Sequence, residues 1–168
     1  MNEYISKLNK CLLFNGIKAE NLTALFGCMG AKVFEFEKNT TVIKEGKIFD
    51  KLGVLLEGNL QIVQYDYLGN RTILSTVEPL QIFGEAFSCV KTKFPMNVET
   101  TEKSKVLFLN SDKLSTPCEH CCTFHKQLVK NLLFIISNNS ERTKLLVNSV
   151  PKSSIISSSH LKIKSNKS

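Results

Sequence analysis

What most constrains this chain is a double change in the spacing of its apolar residues: helical spacing gives way to alternation near Ala31 and returns near Ser115. Leu22, Leu25, Phe26 and Met29 fall at i, i+3, i+4 and i+7, and Ile5, Leu8 and Leu12 make a shorter stripe of the same kind, so the first 30 residues are predicted helical. Phe34 and Phe36 then alternate with Glu35 and Glu37. Short β-type runs follow at Thr41–Ile43, Gly53–Leu56, Leu60–Tyr65, Thr72–Val77, Asn97–Thr100 and Val106–Leu109. Glu45-Gly46, Glu57-Gly58 and Leu68-Gly69-Asn70 punctuate them, the last as a hairpin turn. Parallel strands need long crossovers, usually helical, which these spacings do not allow; the pattern predicts an antiparallel sandwich or barrel.

Thr116-Pro117-Cys118-Glu119 has an N-cap Thr, a Pro at the first helical position and a Glu at N3, the signature of a capping box. A long helix is expected from there to Pro151. Phe124, Leu128, Leu132 and Ile135 form one stripe, with Val129, Leu133 and Ile136 beside it. That arc is wider than one sheet face would cover, so the stripe is expected to meet a second subunit. Residues 152–168 contain seven Ser and four Lys, the composition of a disordered tail. The expected divisions are therefore residues 1–115, 116–150 and 151–168.

Composition narrows the functional classes. With 168 residues and 42% hydrophobic residues, the chain can bury a core without disulfides or a structural metal. Its apolar runs are far shorter than the roughly 20 residues of a bilayer crossing, and its start has no signal-segment pattern, so a cytoplasmic protein with reduced thiols and no membrane contact is expected. The net charge is +7, but residues 142–168 hold six of the 22 basic side chains and none of the acidic ones, leaving 16 basic against 15 acidic elsewhere. The basic character thus belongs to the tail, which predicts at most weak, salt-sensitive contact with nucleic acid. No P-loop, nucleophile elbow or His-Glu-x-x-His pattern is present, and the three His all follow residue 119, so no enzyme is expected.

Ile43-Lys44-Glu45-Gly46, Val54-Leu55-Leu56-Glu57-Gly58, Ile62 to Asp66 with Gly69 to Ser75, and Phe83-Gly84-Glu85-Ala86-Phe87 stand in an order that resembles the sensory half of Crp/Fnr-family transcription regulators. The resemblance covers about Phe14 to about Ser149. It implies a mainly β fold with flanking helices: a double-stranded β-helix, or jelly-roll, of the cyclic-nucleotide-binding type, with a long C-terminal dimerisation helix.

In that family the turn after the Gly-Glu pair is a phosphate-binding cassette. The Gly admits close approach of the ligand, backbone N–H groups form an anion nest, the Glu accepts from a ribose hydroxyl, and a later Arg neutralises the phosphate. Gly84, Glu85 and Ala86 match that cassette, but Phe94-Pro95 stands where the Arg-Ser pair would be, and the loop offers only Lys91 and Lys93. Lysine lacks the planar fork of arginine. The family's usual Gly-Asp before the cassette is likewise replaced by Leu80-Gln81.

The expected function is effector sensing, with a small ligand other than cyclic AMP at Gly84, Glu85, Ala86 and Phe94 and with Ile62, Ile73 and Phe124 as apolar wall. The expected partner is a second copy or a full-length regulator, joined through Phe124, Leu128, Leu132 and Ile135. The alternative is an adaptor that dimerises without sensing. A helix-turn-helix needs about 60–80 residues, and the 18 after Val150 show no helical stripe, so this chain alone is not expected to read DNA sequence.

Cys118, Cys121, Cys122 and His125 share a helical face, yet Cys118 and His125 would sit ~10 Å apart along the axis, too far to hold one ion together. Two or three of them, completed by another segment, could bind Zn²⁺ or an iron–sulfur cluster or act as a redox thiol pair, but burial at the seam between helix and barrel is the simpler expectation, and no cofactor is expected.

Overall fold

The computed structural model describes residues 2–115 and 122–149, with side chains for 3–114 and 124–139. The order is α1 (Asn2–Leu8), a 3₁₀ turn (Leu12–Phe14), α2 (Ala19–Cys28), strands β1 (Lys32–Phe36) to β5, then β6, α3, β7, β8 and two further helices. Strand bounds are β2 Thr41–Ile43, β3 Lys51–Glu57, β4 Leu60–Tyr65, β5 Arg71–Val77, β6 Ile82–Phe83, β7 Asn97–Thr100 and β8 Ser104–Asn110; the helices are α3 Glu85–Val90, α4 Asp112–Ser115 and α5 Cys122–Ser149. Two four-stranded antiparallel sheets, in orders β1-β8-β3-β6 and β2-β7-β4-β5, form the expected jelly-roll. The capping box at Thr116–Glu119 and the tail lie outside the described residues, as do Cys118, Cys121 and the side chain of Cys122.

Alternation along the strands sorts the apolar residues into two cores. Leu55, Val98, Val106 and Phe108 face the interior of the roll together with Ile43, Leu60, Val77 and Phe83. Leu52, Val54, Leu56, Leu107 and Leu109 face the other way and meet the helices. β3 and β8 are thus buried on both faces, which is why they read as continuous apolar runs.

Two helical stripes behave differently from expectation. α1 ends at Leu8, and the phase of the following turn buries Leu13 and Phe14 while leaving Leu12 60% exposed. On α5, Leu128, Leu132 and Ile135 are buried against this chain's own helices and first sheet, and Phe124 packs on the same cluster. The stripe assigned to a second subunit therefore serves the monomer core, and among the described residues of α5 the exposed large apolar side chains are Leu133 and Phe134. Asn131 fixes the helix: its Nδ2 donates to the carbonyls of Leu13 (2.9 Å) and Asn15 (2.8 Å), and its Oδ1 accepts from Gln127. His125 is buried with Nε2 on the carbonyl of Leu114, and no described group of side chains has the makings of a metal site.

Cys11, beside Leu13 and Phe14, has its thiol pushed up to about 11 by burial. The unfolded thiol, near 9.0, ionises first as pH rises, so the folded state loses stability between about pH 9 and 11. The loss is about 2–3 kcal/mol from this group. Denaturant midpoints measured across that range are expected to fall more steeply for the native sequence than for Cys11→Ala; parallel curves would refute the assignment.

Candidate functional site at the Gly84 turn

The turn is delivered by β6, whose Phe83 and Ile82 pair with Gly53 and Val54 of β3. Ile82 packs on the helix core and Phe83 in the roll interior, so this two-residue strand joins both cores. Gly84 then adopts φ +77°, a left-handed conformation that a side chain would strain, and a Cβ there would stand 3.3 Å from the ring of Phe49. α3 starts immediately: Ser88 N–H donates to Gly84 O at 2.9 Å. The backbone N–H groups of the first turn of α3 stand at the head of the helix, on the side of the Gly84 turn. The predicted glycine turn is present with backbone donors at its head, and it is set into the body by buried Ser111, whose Oγ donates to the carbonyls of Asp50 (2.7 Å) and Ser88 (3.1 Å).

The second half of the cassette departs from a phosphate site. Phe94 is held by backbone bonds on both sides, its N–H to Lys47 O (2.9 Å) and its O from Gly46 N–H (2.8 Å). Its ring is 1% exposed and meets Phe87 edge-on, with centroids 4.9 Å apart. Phe94 thus belongs to the interior cluster, and a phosphodiester brought beside it would find hydrocarbon where charge neutralisation is needed.

Of the two lysines in the loop after the turn, Lys91 is committed elsewhere. Lys91 Nζ lies 2.7 Å from Asp112 Oδ1, a contact that raises its pKa. The sequence has two arginines, Arg71 and Arg142, and the side chain of Arg142 lies outside the described set. Val98 points into the roll, so its neighbour Glu99 points out; Arg71 meets Glu99 there through Nε (3.3 Å) and Nη2 (3.2 Å) and also donates to Gln61. No described guanidinium enters the roll.

Of the wall residues read from the sequence, Ile62 packs on the interior cluster with Phe94 and Phe87. Ile73 does not: it is 51% exposed beside Leu74, where the β4–β5 ladder slips by one residue. Phe124 lies with the helix core, across the first sheet from the interior. Glu85 is half-buried and Ala86 exposed, both on the first turn of α3. Sequence reasoning missed Phe87 and Phe49. The signal for Phe87 was its aromatic character in a loop that also carries Phe94; the approach of Phe49 to Gly84 is a tertiary contact without a local signature.

The roll, the glycine turn and the helix after it are the features a family comparison can test. A model of the cyclic nucleotide-binding domain matches residues 33–120, more than half of the sequence. The chain belongs to the cyclic nucleotide-binding domain family. That family is one of regulatory ligand-binding domains.

No curated protein matches the sequence. Among solved structures, a cyclic nucleotide-binding domain from Methylobacillus flagellatus KT is similar with a TM-score of 0.76 and 13% identity, over 90% of this chain and 87% of that one. The sensor domain of the transcriptional regulator DNR from Pseudomonas aeruginosa gives 0.65 and 15%, over 90% and 96%. The regulatory subunit of a cAMP-independent protein kinase A from Trypanosoma cruzi, bound to guanosine, gives 0.57 and 19%, over 67% and 39%. These likenesses establish the fold, which sensor domains of Crp/Fnr-type transcription regulators share. No described helix is long and apolar enough to cross a membrane.

Proposed function

We propose that this cyclic nucleotide-binding domain is the sensory part of a transcription regulator and responds to a small effector that carries no phosphodiester. The observation that supports the reading is Phe94, which stands where the resemblance would put the family's arginine and is a buried aromatic locked against Phe87. The Gly84 turn keeps its left-handed glycine and the adjoining carboxylate of Glu85, which suits a ligand offering hydroxyl or amide donors and little charge. The Trypanosoma cruzi subunit bound to guanosine is a relative in fold whose ligand lacks phosphate. A second reading, an adaptor that pairs with another regulator chain, draws support from Leu133 and Phe134, 62% and 58% exposed on α5.

Amide spectra of the chain titrated with nucleosides and a panel of neutral metabolites separate the two readings. The sensing reading expects a micromolar ligand that shifts the amides of Glu85, Ala86 and Phe87 and is lost in Glu85→Ala. Silence across the panel, with a dimer retained in solution, supports the adaptor.

A further inference from the structure

A second concavity lies on the opposite side of the first sheet from the roll interior, where the end of α1 passes the turn before β6. Lys7 and Lys10 form one wall, Pro79 and Leu80 the other, and Leu56 and Glu57 at the end of β3 the floor, around a volume of about 470 Å³. That volume falls in the range of small-molecule sites. Leu56, Pro79 and Leu80 make a continuous apolar strip. Leu80 holds φ +70°, uncommon for a side chain of its size, and its N–H is tied to Leu55 O at 2.7 Å.

The charge around this strip is unbalanced. Among the described residues Glu57 is the one carboxylate that lines the groove, and it is shared by two ammonium groups, Lys105 at 3.2 Å and Lys7 at 3.4 Å. That company holds its carboxyl below the usual range, with the Lys105 hydrogen bond the largest cause. The same two lysines sit over the Tyr4 ring, 5.7 and 5.8 Å from its centroid. Lys10 has no ion-pair partner among the described residues. Two lysines, Lys7 and Lys10, thus line the groove against one carboxylate that Lys105 also engages from outside the lining, beside an apolar strip, and the ligand complementary to both is an amphipathic anion.

We propose that this groove is a binding site for a free, small amphipathic monocarboxylate, its hydrocarbon on Leu56, Pro79 and Leu80 and its carboxylate between Lys7 and Lys10. The proposal goes beyond the reading of the Gly84 turn and does not depend on it. Decanoate, below its micelle concentration, is the probe, followed by amide spectra of the full chain. Saturable shifts are expected at Lys7, Lys10, Gly58 and Leu80. Affinity is expected to fall about fivefold in Lys10→Glu, a surface change that breaks no ion pair of the fold, and about as much for decanol, which has the chain without the charge. Lys10→Gln should fall between. Equal affinity for decanol, unaltered affinity in Lys10→Glu, or shifts centred on Phe87 and Phe94 would overturn the proposal. So would binding to phosphatidylglycerol vesicles with no response to decanoate, which would make the groove a lipid-surface contact instead.

Discussion

Phe94→Ala is expected to lower the free energy of unfolding by about 3–5 kcal/mol, the usual cost of deleting a fully buried aromatic. The ring is 1% exposed, meets Phe87, and has its backbone tied to Gly46 and Lys47 on both sides, so the roll has little freedom to collapse into the vacated space. Phe94→Leu, which keeps most of the volume, is expected to cost roughly half as much or less. Denaturant unfolding of the three proteins checks this. A loss below about 1 kcal/mol for Phe94→Ala would mean that the cassette is loosely seated and that its aromatic is no part of the core. The comparison bears on function because a position that carries this much stability is held for packing and is poorly suited to opening for a ligand.

Gly58→Ala is expected to be at least as damaging, by about 3 kcal/mol or more. Gly58 turns the chain from β3 to β4 at φ +92°, and a Cβ there would stand 2.6 Å from the carbonyl oxygen of Lys103 and 2.7 Å from the Cα of Ser104. Both are backbone atoms at the start of β8, a strand paired on either side by β1 and β3, so neither can give way without disturbing the first sheet. Thermal unfolding is expected to show a drop on the order of 10 °C or more, or loss of the folded state during expression. Gly69→Ala is the contrasting control: Gly69 also has a positive φ, but nothing lies within 4 Å of a Cβ there. Equal effects at the two positions would show that conformation alone is at stake and that the close approach to β8 is unimportant.

Gly58 also illustrates what the sequence made legible. The Glu-Gly pairs stood out as turn signals, and the strands, their antiparallel pairing and the hairpin at Leu68-Gly69-Asn70 followed from local pattern. In that hairpin Asp66 takes the N–H groups of Leu68 and Asn70 and the side chain of Asn70, which holds its carboxyl below the ordinary range, the Asn70 side chain being the largest cause. The glycine turn at Gly84 was legible as well, because its Gly-Glu pair stands in a recognisable order, whereas the burial of Phe94 was not.

The partner of each apolar face was not legible. α5 carries an apolar arc broad enough for two contacts, and periodicity cannot say which stripe meets the chain's own sheet. The answer lies in Asn131, whose amide reaches two carbonyls 116 and 118 residues earlier and sets the rotation of the helix. Ile73 failed as a wall residue for a related reason. A one-residue slip between Ile62 and Val63 on β4 and their partners on β5 changes where side chains point beyond it, and the alternation of the sequence does not reveal that slip. The groove at Lys7 and Lys10 combines residues from three separated segments and likewise left no local trace.

The central claim, that the cassette's cation is replaced by a buried aromatic, is tested most directly by calorimetry of the chain with cyclic AMP and cyclic GMP at concentrations up to the millimolar range. The account predicts no saturable heat with either nucleotide. Saturable binding at micromolar concentration, abolished by Glu85→Ala, would contradict it, because a phosphodiester would then be held at a turn where the structure places a phenylalanine ring.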